Sequence, residues 1–351
     1  MPDQPDRDKR DGAPVLAAVD VTKHFAVHGK AAGRLGSRRV VHALDGASIG
    51  VYPGQVTALV GESGSGKSTL ARVLAGLHRR TSGDVLLRGQ PVRADRGRAF
   101  RRHVNEVQLI LQDPYGSFNP MLRVSTHLRR AVHVHEPRRT GESLTARTRE
   151  LLEQVHLRPA GQYLEKYPHE LSGGQLQRVS IARALAARPS VILADEPVSN
   201  LDVSIRLGIL NLLSDLTRDG AGLLYVTHDV ASARYFASDT AVMYAGQVIE
   251  SGPAERVTSE PAHPYTRLLI SAAPDPARRA DGDAGQAADR GQPPSLINPP
   301  AGCRFHPRCP FVMDRCRTQA PPRAEIGNGH WCRCWLFSDG GSDGSDDPAS
   351  L

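Results

Sequence analysis

One octapeptide constrains the fold of this chain more than any other feature. Gly61-Glu-Ser-Gly-Ser-Gly-Lys-Ser68 matches G-x-x-x-x-G-K-[ST] between a buried-strand run (55–60) and a helical run (69–77). Its glycines let the backbone turn tightly and aim N–H groups at phosphate oxygens, and the helix dipole favours the same anion. The pattern predicts a phosphate loop in which Lys67 faces the β- and γ-phosphates and Ser68 binds Mg²⁺. The candidate phosphate-binding residues are Gly61, Glu62, Ser63, Gly64, Ser65, Gly66, Lys67, Ser68 and Thr69.

Two further buried-strand runs end in polar residues. Residues 191–194 precede Asp195 and Glu196, and residues 223–226 precede Thr227 and His228. We expect Asp195 to hold Mg²⁺, usually through water, and Glu196 to orient or deprotonate the attacking water. Strands that alternate with helices indicate a mainly parallel sheet covered on both faces. Short apolar alternations near the start predict additional β structure, and residues 112–188 have a helical character.

Composition excludes several classes of protein. The chain has 351 residues, of which 40% are hydrophobic and 23% charged, and its mean hydropathy is −0.36. No apolar run approaches the ~18 residues of a membrane span, and the charged start lacks the apolar stretch of a signal peptide. We therefore expect a chain that is neither secreted nor membrane-spanning. The net charge of +7 permits an anionic partner but does not identify one.

A pentapeptide makes the resemblance to a known family specific. Leu171-Ser-Gly-Gly-Gln175 precedes the strand run at 191–194 and is followed by a helical run at 176–187. With the phosphate loop and the paired acids in this order, the sequence resembles the ATP-binding subunits of ATP-binding-cassette (ABC) transporters. The resemblance implies an α/β fold: a P-loop NTPase cassette with a RecA-like parallel core, an antiparallel β part and an inserted helical subdomain. It also implies that Ser172, Gly173, Gly174 and Gln175 reach across a dimer to the γ-phosphate held by the other cassette.

Further residues match positions of that family. The resemblance implies that Gln112 contacts Mg²⁺ or water and senses the membrane subunits, that His228 touches the γ-phosphate, and that Phe25 stacks on adenine. Asp202 ends Ser199-Asn-Leu-Asp202, which resembles the loop that contacts the partner cassette. The family commonly has alanine where this chain has Asn200, so we expect a slightly different dimer contact there.

Residues 61–72 and the tripeptide Asp113-Pro-Tyr resemble the second of the two ATPase subunits that dipeptide and oligopeptide importers often have. Three segments are similar to that importer subfamily as a whole. They are Gln112-Asp-Pro-Tyr-Gly-Ser-Phe-Asn-Pro120, His263-Pro-Tyr-Thr-Arg-Leu-Leu269 and Gly302-Cys-Arg-Phe-His-Pro-Arg-Cys-Pro310. The implied protein binds ATP and Mg²⁺ and hydrolyses ATP to energise peptide import at the cytoplasmic face of the membrane. Its implied partners are a second ATPase subunit, identical or paralogous, two transmembrane permease subunits and, through them, a solute-binding protein.

The same resemblance sets the expected domain boundaries. The cassette is expected at 14–260, with a helical subdomain at about 113–188, and a small Cys-rich extension at 261–337. A run rich in Pro, Ala, Asp and Gly at about 274–300 indicates a linker. The tail 338–351 is rich in Gly, Ser and Asp and is predicted to be disordered.

Other functions fit the sequence less well. Relatives of such importers carry nickel or other small solutes, so the cargo stays open. Soluble ABC proteins act on nucleic acid or the ribosome, but they usually have two cassettes or a long coiled coil, and aromatic residues are only 5% of this chain. No nucleic-acid partner is therefore expected. A small-substrate kinase would leave residues 171–175 unexplained.

The five cysteines lie close to the C-terminus. Their spacing, C-x5-C-x6-C followed by Cys332 and Cys334, matches neither the tight pairs of zinc sites nor the ferredoxin patterns. Spacing alone leaves a metal site and unliganded cysteines equally open. Some relatives hold a [4Fe–4S] cluster here, and the resemblance assigns Cys303, Cys309, Cys316 and Cys334 to it, with zinc and no metal as alternatives. Cys332 is then spare, although two residues apart in a strand share a face and either thiol could reach the site.

Overall fold

The structure, a computed structural model, describes residues 12–27, 39–92, 96–199, 201–272 and 291–338. Its strands are β1 (Leu16–Val27), β2 (Arg39–Val51), β3 (Val56–Val60), β4 (Ser82–Leu87), β5 (Gln90–Pro91), β6 (Val107–Ile110), β7 (Val191–Asp195), β8 (Gly222–Thr227), β9 (Asp239–Tyr244), β10 (Gln247–Pro253), β11 (Ala324–Gly327) and β12 (His330–Cys332). Its helices are α1 (Lys67–Leu74), α2 (Gly97–Glu106), α3 (Val124–His135), α4 (Gly141–Gln154), α5 (Ala160–Leu164), α6 (Gly173–Leu185), α7 (Val203–Arg218), α8 (Val230–Phe236), α9 (Ala254–Ser259), α10 (Pro264–Ser271) and α11 (Asp314–Thr318).

The larger sheet has the order β11-β12-β10-β9-β3-β8-β7-β6, and its strands β9, β3, β8, β7 and β6 run parallel. Every residue of β3, β7, β8 and β9 is buried, as expected of parallel strands covered on both faces. In register, Val60 lies opposite Thr227 and Asp195 lies opposite Val226. The phosphate loop, the paired acids and His228 therefore emerge at one edge of the sheet.

The smaller sheet is antiparallel, in the order β2-β1-β4-β5. Strands β1 and β2 pair from Leu16 opposite Val51 to Val27 opposite Arg39. Their apolar faces pack with α1 in one core, to which Leu70 and Leu74 contribute fully buried side chains. This sheet carries Phe25 near the end of β1.

Helices α3 to α6 lie between β6 and β7 and form the inserted helical part. They pack on one another through buried leucines and valines that join the main core. The spacing of Leu151, Leu152, Val155 and Leu157 predicts one amphipathic segment. The helix is shorter than this segment, because α4 ends at Gln154 and His156 takes a positive φ of 61°. A residue in the left-handed region stops a helix. The predicted fold class, a parallel core with an antiparallel part and a helical insertion, is confirmed. Among the described helices, none is both long and apolar enough to cross a bilayer.

The C-terminal extension adds two strands to the larger sheet. Strand β12 pairs with β10, placing Trp331 opposite Ser251 and Cys332 opposite Glu250. The buried Glu250 carboxylate accepts hydrogen bonds from the backbone N–H of His263 (2.9 Å) and from His330 Nε2 (2.7 Å). The extension is thus held to the cassette by main-chain pairing and a buried acid. Residues 274–290 of the predicted linker and the predicted tail from residue 339 lie outside the described residues.

Candidate functional site

Two glycines determine the backbone conformation of the phosphate loop. Gly61 and Gly66 have φ of 152° and 110°, a region that residues with a Cβ rarely adopt. A Cβ at Gly61 would lie 2.2 Å from the Met243 carbonyl oxygen, and one at Gly66 would lie 2.5 Å from the Ala43 carbonyl oxygen. The loop can therefore approach β2 and β9 this closely only with glycine at both positions.

Lys67 opens α1 and is 4% exposed. Its Nζ donates to the carbonyl oxygens of Gly61 (2.7 Å) and Glu62 (2.8 Å) and so closes the loop on itself. Burial lowers the pKa of Lys67, and the carboxylates of Glu196, Asp195 and Glu62 oppose that effect. A cation in this position can exchange its two carbonyl partners for phosphate oxygens.

Asp195 ends β7 and is 1% exposed. Its Oδ1 accepts a hydrogen bond of 2.8 Å from Ser68 Oγ, although the two residues are far apart in sequence. Burial raises the pKa of Asp195, and the Ser68 bond opposes the rise. Convergent hydroxyl and carboxylate oxygens are the donors that Mg²⁺ prefers.

Glu196 follows Asp195 but points to different partners. Its φ of 45° is positive, and its backbone N–H donates to the Val226 carbonyl at 3.0 Å. The carboxylate accepts from Gln112 Nε2 at 3.0 Å and lies 3.3 Å from His228 Nδ1. A strained backbone at a non-glycine residue is typical of functional sites. Here the turn separates the two acids, so that one meets Ser68 and the other meets Gln112 and His228.

Lys67, Ser68, Gln112, Glu196 and His228 line one cleft of about 650 Å³. The sequence-predicted residues that line it are Phe25, Ser63, Gly64, Gly66, Lys67, Ser68, Thr69, Gln112, Glu196 and His228. Phe25 is half-buried and meets His78 edge to face, with ring centroids 5.5 Å apart. The cleft is thus lined by an aromatic ring as well as by the phosphate loop and the Glu196 carboxylate.

Sequence reasoning missed three lining residues: Val41, Ala43 and Leu296. Leu296 falls in the predicted linker at about 274–300, yet it packs against the main core. Its carbonyl oxygen accepts from the His42 backbone N–H at 2.8 Å. The Pro-rich composition around it gave no signal of this contact.

The pentapeptide 171–175 lies elsewhere. Ser172 caps α6 reciprocally: Gln175 N donates to Ser172 Oγ (3.3 Å) and Ser172 N donates to Gln175 Oε1 (3.1 Å). Ser172 is exposed, and residues 172–175 do not line the cleft of their own chain. Asp202 is also exposed, just before α7, and Asn200 lies outside the described residues.

Glu62 has a partner that the sequence did not indicate. Its two carboxylate oxygens accept from the guanidinium of Arg308, at 3.0 and 3.1 Å. Its backbone N–H donates to the Tyr265 hydroxyl at 2.9 Å. Both contacts come from the C-terminal extension, so that segment touches the phosphate loop directly.

Four of the five cysteines form a thiol patch, defined here as Cys303, Cys309, Cys316 and Cys334. Burial, with a smaller contribution from the charges of the other three thiols, raises the pKa of Cys334 to about 12. Cys332 ends β12 and Cys334 follows the strand, so the two do not share one strand face as predicted. Burial also raises the pKa of Cys332, and the charges of Cys334 and Glu250 act in the same direction.

Comparison with known proteins gives two family matches. Residues 44–199 match the family described as ABC transporter, and residues 249–316 match the one described as oligopeptide/dipeptide transporter, C-terminal region. A probable peptide ABC transporter ATP-binding protein of Sinorhizobium fredii is 42% identical over 91% of this chain and 89% of its own length. A di/tripeptide transport ATP-binding protein of Pseudomonas aeruginosa is 39% identical over 88% of this chain and 93% of its own.

Solved structures share the fold. A dimeric ATP-binding cassette in a post-hydrolysis state, bound to ADP and Pi, superposes with a TM-score of 0.59 at 28% identity. The match covers 68% of this chain and 99% of that one. The matched part is therefore a whole cassette, and this chain is longer.

Proposed function

This chain belongs to the family of ABC transporter ATP-binding proteins, and on that premise we propose that it hydrolyses ATP to drive peptide import. One observation carries the proposal: Lys67, Ser68 and Glu196 line one cleft, with Asp195 hydrogen-bonded to Ser68. The peptide relatives, matched over most of their length, support the cargo. We assign the cassette to 14–260, with its helical subdomain at about 113–188, and the extension to 261–337.

The cleft suits ATP with Mg²⁺. We assign adenine to the Phe25 end and the phosphates to the loop 61–69, where backbone N–H groups and Lys67 meet their charge. Ser68 and Asp195 offer oxygen ligands 2.8 Å apart, and Gln112 lines the same cleft as Ser68. These three would hold the metal, which neutralises phosphate charge when bound.

Glu196 is placed to act on water. Its carboxylate is held between Gln112 and His228, so it can orient a water molecule and accept its proton as that water attacks the terminal phosphate. His228 is 59% exposed, and we assign it a contact with the γ-phosphate. The positive φ of Glu196 fixes this orientation before ATP arrives.

The active form is proposed to be a head-to-tail pair of cassettes. Ser172 is exposed, and residues 172–175 lie outside the cleft of their own chain, so the Ser172 side chain is accessible to a partner. The similar solved cassette is itself dimeric. In this arrangement ATP lies between Lys67 of one chain and Ser172 of the other, with Asp202 near the contact. The partner is a second copy or a paralogous subunit.

The segment after Gln112 is the proposed contact with the membrane subunits. It exposes apolar side chains, with Tyr115 49% and Met121 79% accessible. The Tyr115 hydroxyl also donates to the Leu171 carbonyl at 3.2 Å, immediately before Ser172. A permease helix bound there would be connected to the composite ATP site. We therefore place the protein at the cytoplasmic face, with two permeases and, through them, a solute-binding protein.

For the thiol patch we propose a [4Fe–4S] cluster. The fit rests on Cys303, Cys309 and Cys316 lying close enough for their charges to act on Cys334, and on the Cys303 N–H bond to the Cys316 carbonyl (2.9 Å). Among the described residues, no three cysteine sulfurs lie within 4.8 Å of one another. A single zinc ion, with Zn–S bonds of ~2.3 Å, would need its cysteine sulfurs to lie that close together. Anaerobically purified protein should be brown and contain iron, whereas colourless, iron-free protein after reconstitution would exclude the cluster.

Uptake in cells tests the transport function. Cells that lack this chain should lose uptake of a labelled dipeptide, and the wild-type chain but not Glu196→Gln should restore it. Uptake of ⁶³Ni²⁺, measured in parallel, should stay unchanged. Unaltered dipeptide uptake, or loss of nickel uptake instead, would contradict the assigned cargo.

A further inference from the structure

The phosphate loop carries a carboxylate that is out of place next to ATP. Glu62 lies inside the loop, and its charge raises the pKa of Lys67, the cation assigned to the phosphates. An unpaired carboxylate there would repel the polyphosphate chain and compete for Lys67. The protein therefore needs a cation that cancels this charge without occupying the phosphate site.

Arg308 fills that requirement from the C-terminal extension. Both carboxylate oxygens of Glu62 are engaged by its guanidinium, at 3.0 and 3.1 Å, in a bidentate pair. The Arg308 side chain is 11% exposed and that of Glu62 is 28% exposed, so water screens the pair only in part.

Aromatic side chains fix the guanidinium in place. Its Cζ lies 5.8 Å from the Phe305 ring centroid and 5.9 Å from that of Tyr244, within cation–π range. Tyr265 accepts from the Glu62 backbone N–H and thereby holds the same stretch of loop. The extension thus reaches the loop at two points, one on the side chain of Glu62 and one on its backbone.

We propose that Arg308 is a positioning residue of the ATP site, which neutralises Glu62 so that the phosphate loop accepts the polyphosphate. This inference rests on the proposed function, because it takes ATP as the ligand. It gives the C-terminal extension a part in nucleotide binding by its own cassette. Arg308 acts through Glu62 and need not touch the nucleotide.

The test is equilibrium binding of a non-hydrolysable ATP analogue with Mg²⁺ to the full-length chain. Arg308→Ala leaves the carboxylate uncompensated and should weaken binding about tenfold. Adding Glu62→Gln removes that charge, so the double variant should return to within about threefold of wild type. Glu62→Gln alone leaves the arginine charge in place and should bind more tightly than wild type. Arg317→Ala is the matched control, because Arg317 is an exposed arginine of the same extension.

Each outcome decides the inference. Wild-type affinity in Arg308→Ala overturns it. A loss that Glu62→Gln does not restore also overturns it, since Arg308 would then only hold the extension in place. Should Arg308→Ala fail to fold, Arg308→Gln in the presence and absence of Glu62→Gln gives the same comparison, and Arg308→Lys should stay near wild type. Wild-type protein that binds no ATP analogue refutes the proposed function instead, which separates the two failures.

Discussion

Replacing Glu196 by glutamine isolates one carboxylate charge in the site. Glutamine has nearly the same size, and its amide oxygen can still accept from Gln112 Nε2, 3.0 Å from the carboxylate in the wild-type chain. The water then keeps its neighbours but loses the group that takes its proton. General-base catalysis is typically worth about 10²–10⁴-fold, which corresponds to a barrier increase of ~3–5 kcal/mol. ATP binding should persist or tighten, because one of the negative charges that act on Lys67 is removed.

The assay measures steady-state ATP hydrolysis and ATP affinity on the same protein. Glu196→Gln should lose at least about 100-fold in kcat while its ATP affinity is unchanged or higher. Glu153→Gln, an exposed acid on α4, serves as the matched control and should retain the wild-type rate. A kcat within threefold of wild type would remove Glu196 from its assigned role. Loss of ATP affinity would show that the carboxylate supports binding and not water activation.

Two further predictions concern binding and stability. Lys67→Ala should weaken ATP binding itself by at least about tenfold, because the cation that faces the phosphates is gone; unchanged affinity in calorimetry would contradict this. Burial lowers the pKa of His263 to about 4, although the charge of Glu250 opposes this shift. In the unfolded chain the histidine has its ordinary pKa of ~6.5, so below that pH the unfolded state binds a proton that the folded state does not. Stability should therefore fall as the pH drops through this window, by about 2 kcal/mol between pH 7 and pH 5 at ~1.4 kcal/mol per unit. His263→Asn keeps an acceptor for the Tyr265 N–H bond of 3.0 Å and should lose this slope in urea unfolding, whereas an identical slope in both proteins would refute it.

The central strands could be predicted because each is a short, continuous apolar run. Strands β3, β7 and β8 are buried on both faces, and the motif residues follow directly at their carboxyl ends. The strand runs and the motif residues that follow them therefore indicated which side chains would lie close together. The convergence of Ser68 and Asp195 follows from this rule for parallel sheets, and the structure shows them in contact.

Contacts between residues that are far apart in the sequence could not be predicted in this way. Arg308 and Glu62 are separated by 246 positions, and no sequence pattern around either residue indicates contact with the other. Strand β12 has only three residues and is recognisable through its pairing with β10 and β11. Leu296 lies in a Pro-rich stretch that resembles a linker, yet its carbonyl is fixed by the His42 N–H. In each case tertiary contact decides the structure, and composition or periodicity cannot.

ATP hydrolysis by a mixture of two inactive variants tests most directly whether two chains share one ATP site. Lys67→Ala removes the phosphate cation, and Ser172→Arg blocks the signature offered to the partner, so each protein alone should be inactive. In an equimolar mixture half of the dimers contain both chains and each has one intact composite site, so about a quarter of the wild-type rate should return. A mixture no more active than either variant alone would contradict an ATP site shared between two copies of this chain.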